Sequence, residues 1–281
     1  IVNCGRPEEY QVARQILAHP LDFYGFQAHW YTSWNFMYDI NKNPPGISYF
    51  IALISRFLGE KEIFFHLAFL IPAAALSLGT YTLARRFCSV PLLAAASTVL
   101  TPVFLTSSSN LMSDVGMTAF FVWSAVAWLR SIEKPSLATG VASGFLIALA
   151  ALTKYFALSL IPLLGLYALL RRPRQPWRCL PLLIPVLILC CYEMYTRHLY
   201  GKGMIMEAQA FATEFAHKES AWTRCMIAAG FLGGCLPSAA FVAVAARKWR
   251  TIAAALLLTL VLVSLIVLTG VAGNDGPLGS A

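Results

Sequence analysis

Between Glu62 and Val271 the sequence passes through eight apolar stretches in succession: Glu62–Leu83, Val90–Leu105, Val115–Leu129, Leu137–Leu152, Tyr155–Leu170, Leu180–Tyr195, Cys225–Ala246 and Thr251–Val271. Segments this apolar satisfy their backbone polar groups inside hydrocarbon only as helices or closed barrels, and runs of near-spanning length read as helices. The pattern predicts an all-α fold, a polytopic membrane helical bundle of about eight transmembrane helices. Composition agrees, with 58% hydrophobic and 12% charged residues and a mean hydropathy of +0.67, against roughly 25% charged in soluble domains. The organisation expected is a loop region over 1–61, a transmembrane bundle over 62–272 and a flexible tail over 273–281.

The formal net charge of +8 does not indicate nucleic acid as a partner. Most basic residues cluster at the ends of apolar runs: Arg85-Arg86, Arg130 to Lys134, Arg171 to Arg178 and Arg247 to Arg250. With strict alternation from the first run, all four clusters fall on one side, which the positive-inside rule makes cytoplasmic. Residues 1–61, Thr106–Asp114, the turn at Lys154 and Arg197–Arg224 then lie outside. The last of these places Met204, Ala208, Phe211 and Phe215 at helical spacing, as in a surface helix. The seven cysteines include no CxxC pair and read as small packing residues. No internal repeat is visible. The start at Ile1 and the Gly-rich end "GNDGPLGSA" suggest a chain truncated at its N-terminus.

Ile47–Leu58 breaks the pattern. As a helix it rises only ~18 Å against ~30 Å of hydrocarbon, and counting it as a span would spoil the charge alternation. It reads as an interfacial helix started by Pro44-Pro45, the alternative being a short tilted or re-entrant span. Ile47, Phe50, Ile51, Ile54 and Leu58 make its apolar face; Ser48, Ala52, Ser55, Arg56 and Gly59 make the other.

Candidate chemistry gathers at the outer ends of the runs. Lys154, in "AALTKYF", stands alone after a long apolar run. It either snorkels to the interface or holds a lipid phosphate as a compact cation. Asp114 opens the run after "SSSNLMS", where it caps a helix with Ser113, orients a substrate hydroxyl, or does both. Glu8, Glu9, Asp22 and Asp39 lie among aromatics such as Tyr24, Trp34 and Tyr38, a mixture that suits sugars and equally suits any membrane interface. Glu214 and His217 have i, i+3 spacing without partner ligands, so no metal site is assigned.

The segments "NPPGISYFIALISRFLGEKEIFFHLAFLIPAAALSLGTYTLARRF", "SSSNLMSDVGMTAFFVWSAVAWL" and "GFLIALAALTKYFALSLIPLLGLYALLRR" resemble, in order and spacing, the GT-C membrane glycosyltransferases. The resemblance is to the group of dolichyl-phosphate-mannose protein mannosyltransferases and aminoarabinose transferases, and it covers roughly Arg6 to Arg172. It implies transfer of a sugar from a polyprenyl-phosphate donor to a lipid, protein or polysaccharide acceptor on the extracytoplasmic side, commonly with inversion. By position Lys154 resembles the family's lysine near the donor phosphate. Lys42 and Asn43 lie where its juxtamembrane motif contacts that phosphate, and Asp114 resembles its second acidic residue. A divalent cation at the phosphate is left open. The family's acidic dyad aligns with Gly5-Arg6, which carry no carboxylate, and Glu8 and Glu9 are the nearest substitutes, about one helical turn away. Loop lengths and the absence of an Asn-x-Ser/Thr sequon favour a bacterial inner membrane.

Two other readings stand beside this one. The missing dyad suits a catalytically impaired copy or a non-enzymatic lipid-binding membrane protein. A lipid or solute transporter would place ionisable groups near mid-membrane, where only Glu193 qualifies.

Overall fold

The structure, a computed structural model, describes residues 7–30, 33–172, 174–218, 220, 222–223 and 225–227. Gly5-Arg6, the side chain of His217, the last two apolar runs beyond residue 227 and the tail 273–281 lie outside the described residues. The chain divides into two compact units, residues 1–95 with 106–208, and residues 96–105 with 209–281.

The first unit begins with helix α1 (Pro7–Ala18) and a hairpin of strands β1 (Gln27–Trp30) and β2 (Ser33–Phe36), antiparallel, with Gln27 opposite Phe36 and Trp30 opposite Ser33. The hairpin adds strand structure to the expected all-α fold. A single turn, α2 (Met37–Ile40), leads to α3 (Gly46–Leu58). Thirteen residues of helix rise ~20 Å, too little to cross ~30 Å of hydrocarbon, as the charge pattern requires.

The faces of α3 differ from the expected division. Ser48 and Ala52 are buried with Ile47, Ile51 and Ile54, while Tyr49, Leu53 and Phe57 are 39%, 54% and 77% exposed. The cause is α1. Glu9 is completely buried and accepts a hydrogen bond from the Ser48 hydroxyl at 2.8 Å, which turns the polar side of α3 inward. Tyr49, Leu53 and Phe57, four residues apart, become the outward stripe.

Three helical segments are long and apolar enough to cross a membrane: α4 (Glu62–Ala84), α7 (Ser113–Glu133), and Pro176–Tyr200, a 3-10 turn continued by α10 (Leu183–Tyr200). The chain is thus an α-helical integral membrane protein in which three segments, or four if one bent pair of helices counts as a span, meet that criterion among the described residues. The predicted run over Val90–Leu105 is broken: α5 (Pro91–Val99) and α6 (Pro102–Ser108) are separate helices, because Pro102 has no N–H to continue the ladder. Leu137–Leu152 and Tyr155–Leu170 become the shorter apolar α8 (Leu137–Thr153) and α9 (Leu160–Arg171), the latter preceded by a 3-10 turn at Tyr155–Ser159. Within the stretch Arg197–Arg224, read as a loop, stands α11 (Met204–Lys218), a helix foreseen there as a surface one, with Met204 buried in the core instead.

Small residues let these helices approach. Gly140, Gly144 and Ala148 recur every fourth position on α8, the small-xxx-small pattern of membrane helix contacts, and a Cβ at Gly144 would lie 2.5 Å from the Pro181 carbonyl oxygen. Ser143 donates to the Ser124 carbonyl of α7 at 2.8 Å. The indoles of Trp123 and Trp128 donate to the carbonyls of Ala75 and Leu164 at 2.8 and 3.0 Å, tying α7 to α4 and α9. Cys190 and Cys191, expected as packing residues, are exposed on α10.

In the second unit, residues 96–105 carry the end of α5 and most of α6, and residues from 209 onward continue α11.

Candidate active site

Helix α8 ends at Thr153, and Lys154 leaves it in extended backbone. That bend swings the ammonium away from the helix and toward Asp114, in the first turn of α7, with which it forms an ion pair. The capping role expected for Asp114 is not what its side chain does. The N-cap of α7 is Met112, and no side-chain cap bond forms there. The lysine and carboxylate are 32% and 43% exposed; pairs this accessible contribute about 0–1 kcal/mol, so stability alone gives little reason for them. The bond engages Oδ1 of Asp114, and among the described residues Oδ2 has no hydrogen-bond partner.

The start of α3 is pressed against this corner. A Cβ added at Gly46 would meet the Leu152 carbonyl oxygen at 2.5 Å, so only glycine lets the two backbones close. Ile47 in turn approaches Gly116 of α7. Asn43, three residues before Gly46, is therefore held within roughly 11 Å of that contact by chain length alone. Its conformation is set from both ends: the Asn43 N–H donates to Oδ1 of buried Asn41 at 2.8 Å, and its carbonyl accepts the Tyr24 hydroxyl at 2.6 Å. Complete burial, with the Glu9 carboxylate nearby, holds the Tyr24 hydroxyl well above the usual phenol range, so it stays a donor at neutral pH. Lys42 is paired with Glu207 of α11 at 3.3 Å.

Beside this corner lies an apolar cavity of about 640 Å³ walled by α3, α4, α7, α8 and α10, whose lining includes Gly46, Gly116 and Thr153, the residue before Lys154. Its volume is that of an ordinary ligand site, and its walls offer hydrocarbon rather than hydrogen bonds.

The segment before α3 is tied down by tyrosines. The Tyr200 hydroxyl, at the end of α10, accepts from the Tyr24 N–H and donates to Oδ1 of Asp22, both at 3.0 Å. Asp39 pairs with Lys202, just past Gly201, whose φ of 73° closes α10 in the left-handed region that favours glycine.

The structure thus brings Lys154 and Asp114 together and keeps Asn43 within roughly 11 Å of the Gly46–Leu152 contact. Glu9 is placed in the α1–α3 packing, and half-buried Glu8 is beside it in the first turn of α1. Glu193, the one carboxylate inside an apolar run, accepts the N–H groups of Ile205 and Met206 at 2.8 and 3.3 Å; it caps α11 from α10. The partners Asn41, Glu207 and Tyr24 carried no sequence signal beyond their polarity. Among the described residues no three His, Cys, Asp or Glu side chains gather to hold a metal ion.

The sequence profile of the family described as dolichyl-phosphate-mannose-protein mannosyltransferase matches residues 42–195, a segment that contains Lys42, Asn43, Asp114, Lys154 and every wall of the cavity except Phe23. No curated protein and no solved structure matches the chain.

Proposed function

The chain belongs to the dolichyl-phosphate-mannose-protein mannosyltransferase family, a family of membrane glycosyltransferases, and on that premise we propose that it transfers a sugar from a polyprenyl-phosphate donor to a hydroxyl or phosphate acceptor at the extracytoplasmic face of a bacterial inner membrane. The observation that carries this reading is the Lys154–Asp114 pair at the edge of the apolar cavity. A lipid-linked sugar is an amphiphile, and this corner offers a cation for its phosphate next to a hydrocarbon slot for its chain.

In this reading the acceptor oxygen attacks the anomeric carbon as the bond from that carbon to the phosphate oxygen breaks. Asp114, with Oδ2 free among the described residues, orients the acceptor and takes its proton. Lys154 stabilises the negative charge that grows on the leaving polyprenyl phosphate. Lys42 and Asn43 contribute to the phosphate site from the segment before α3, where Lys42 exchanges Glu207 for the phosphate. Glu9 acts from inside, holding α1 against Ser48 and so fixing the start of α3, and Glu8 is the second carboxylate able to serve as base. Among this chain's own residues, the charge on the departing phosphate is met by Lys154 with Lys42.

Binding of a polyprenyl-phosphate sugar to the purified chain in nanodiscs tests the proposal, with wild type set against Lys154→Ala and release of polyprenyl phosphate followed. Lys154-dependent binding with turnover supports it. Binding that ignores Lys154, or none, overturns the donor site.

A further inference from the structure

A second cavity, of about 470 Å³, lies at the end of the bundle that carries the basic clusters, between α8 and the segment that leads into α10. Its lining is part polar, with Ser131, Trp177 and Arg178, and part apolar, with Val141, Leu180 and Ile184. The Arg178 guanidinium reaches the last turn of α7, where one nitrogen donates to the carbonyls of Ser131 and Ile132, both at 3.4 Å. Arg172 approaches the Ile132 carbonyl from its own side at 3.5 Å, so the end of α7 is served twice. The bonds of Arg178 use Nη1 alone, and among the described residues its remaining N–H groups have no acceptor. Trp177 is 59% exposed, an amphipathic ring of the kind that settles at headgroup level.

We propose that this cavity is a binding site for an anionic phospholipid of the leaflet that the basic clusters face. The open donors of Arg178 take the phosphate, a planar fork that matches its oxygens. Lys134, Arg171 and Arg174, all exposed around it, raise the local concentration of anionic headgroups. An acyl chain follows the apolar wall along Val141, Leu180 and Ile184. That wall distinguishes a lipid from free phosphate, which has nothing to place there. The site is separate from the Lys154–Asp114 corner and does not depend on the sugar-transfer reading.

The test uses the full chain in neutral detergent, with thermal shift and native mass spectrometry on adding phosphatidylglycerol, phosphatidylcholine of the same acyl chains, or inorganic phosphate. Phosphatidylglycerol gives a saturable rise in Tm and a retained adduct; the other two do not. Arg178→Gln weakens its apparent affinity at least roughly tenfold, the loss expected of one charge-assisted hydrogen bond. Because that change also thins the cap on α7, Val141→Trp serves as the second variant: it fills the cavity from its apolar lining, keeps the cap, and produces a similar loss. Lys154→Ala leaves the binding unchanged. Equal retention of phosphatidylcholine, a shift with phosphate alone, unaltered binding in both cavity variants, or loss of binding in Lys154→Ala would each overturn the proposal.

Discussion

Lys154 and Asp114 lie forty residues apart, and each is the charged residue that interrupts an otherwise apolar passage. That isolation made both legible: a lone charge beside hydrocarbon costs about 3 kcal/mol unless something uses it. Their pairing was not legible, because nothing local specifies which helix end meets which. The same holds for Glu9. Its sequence context is that of a solvated helix, yet Ser48, which looks like part of a wet face, draws it inside. For the Lys154–Asp114 pair, Lys154→Ala and Asp114→Ala are each expected to lower turnover by roughly 10²-fold or more. The double variant should fall little further, while Tm stays nearly constant because so exposed a pair contributes only about 0–1 kcal/mol. Turnover and thermal unfolding of the three variants check this. Ser48→Ala behaves in the opposite way: a buried carboxylate loses a donor, with an expected cost of about 1–3 kcal/mol read by thermal unfolding.

Among the elements, α3 was recognisable from its length, its Pro-Pro start and the charge alternation around it. Its orientation was not, since hydropathy alone puts Ser48 and Ala52 on the polar face, whereas both are buried. The outward stripe of Tyr49, Leu53 and Phe57 predicts contact with lipid acyl chains. A nitroxide at Phe57→Cys, in a chain otherwise free of cysteine, should be relaxed more by oxygen than by a water-soluble nickel chelate; at Arg56→Cys the order should reverse. The start of α3 is more sensitive than its surface. Gly46→Ala forces a methyl against the Leu152 carbonyl, an overpacking expected to cost about 1–3 kcal/mol and to separate Asn43 from Lys154, measured as a lower Tm together with weaker donor binding. The hairpin of β1 and β2 escaped sequence reading because its aromatics, at alternate positions, look like any interfacial girdle.

For the molecule as a whole, the apolar runs disclosed a membrane bundle, and the basic clusters give an expectation of its orientation. The runs were less informative about continuity. Pro102 divides one into α5 and α6, and a 3-10 turn at Tyr155–Ser159 shortens another, since local backbone breaks leave mean hydropathy almost untouched. Orientation yields a direct prediction. In intact cells, a chain with exposed Cys88, next to Arg85-Arg86, as its only cysteine should resist a membrane-impermeant maleimide until the cells are opened, whereas Trp34→Cys in β2 should be labelled at once. Labelling of Cys88 from outside would reverse the topology and, with it, the side of sugar transfer.

The bond from the Tyr24 N–H to the Tyr200 hydroxyl joins residues 176 positions apart. A ribosome adding roughly 5–20 residues per second takes about 10–35 s to cover that distance. Throughout that interval the loop that carries Tyr24 has been made and Tyr200 has not. Phe23, which packs against Tyr192 and Tyr200 in the finished protein, is then uncovered beside the membrane. The loop is thus synthesised well before the helix that locks it, and biogenesis of this protein has an interval of nascent-chain vulnerability written into its topology.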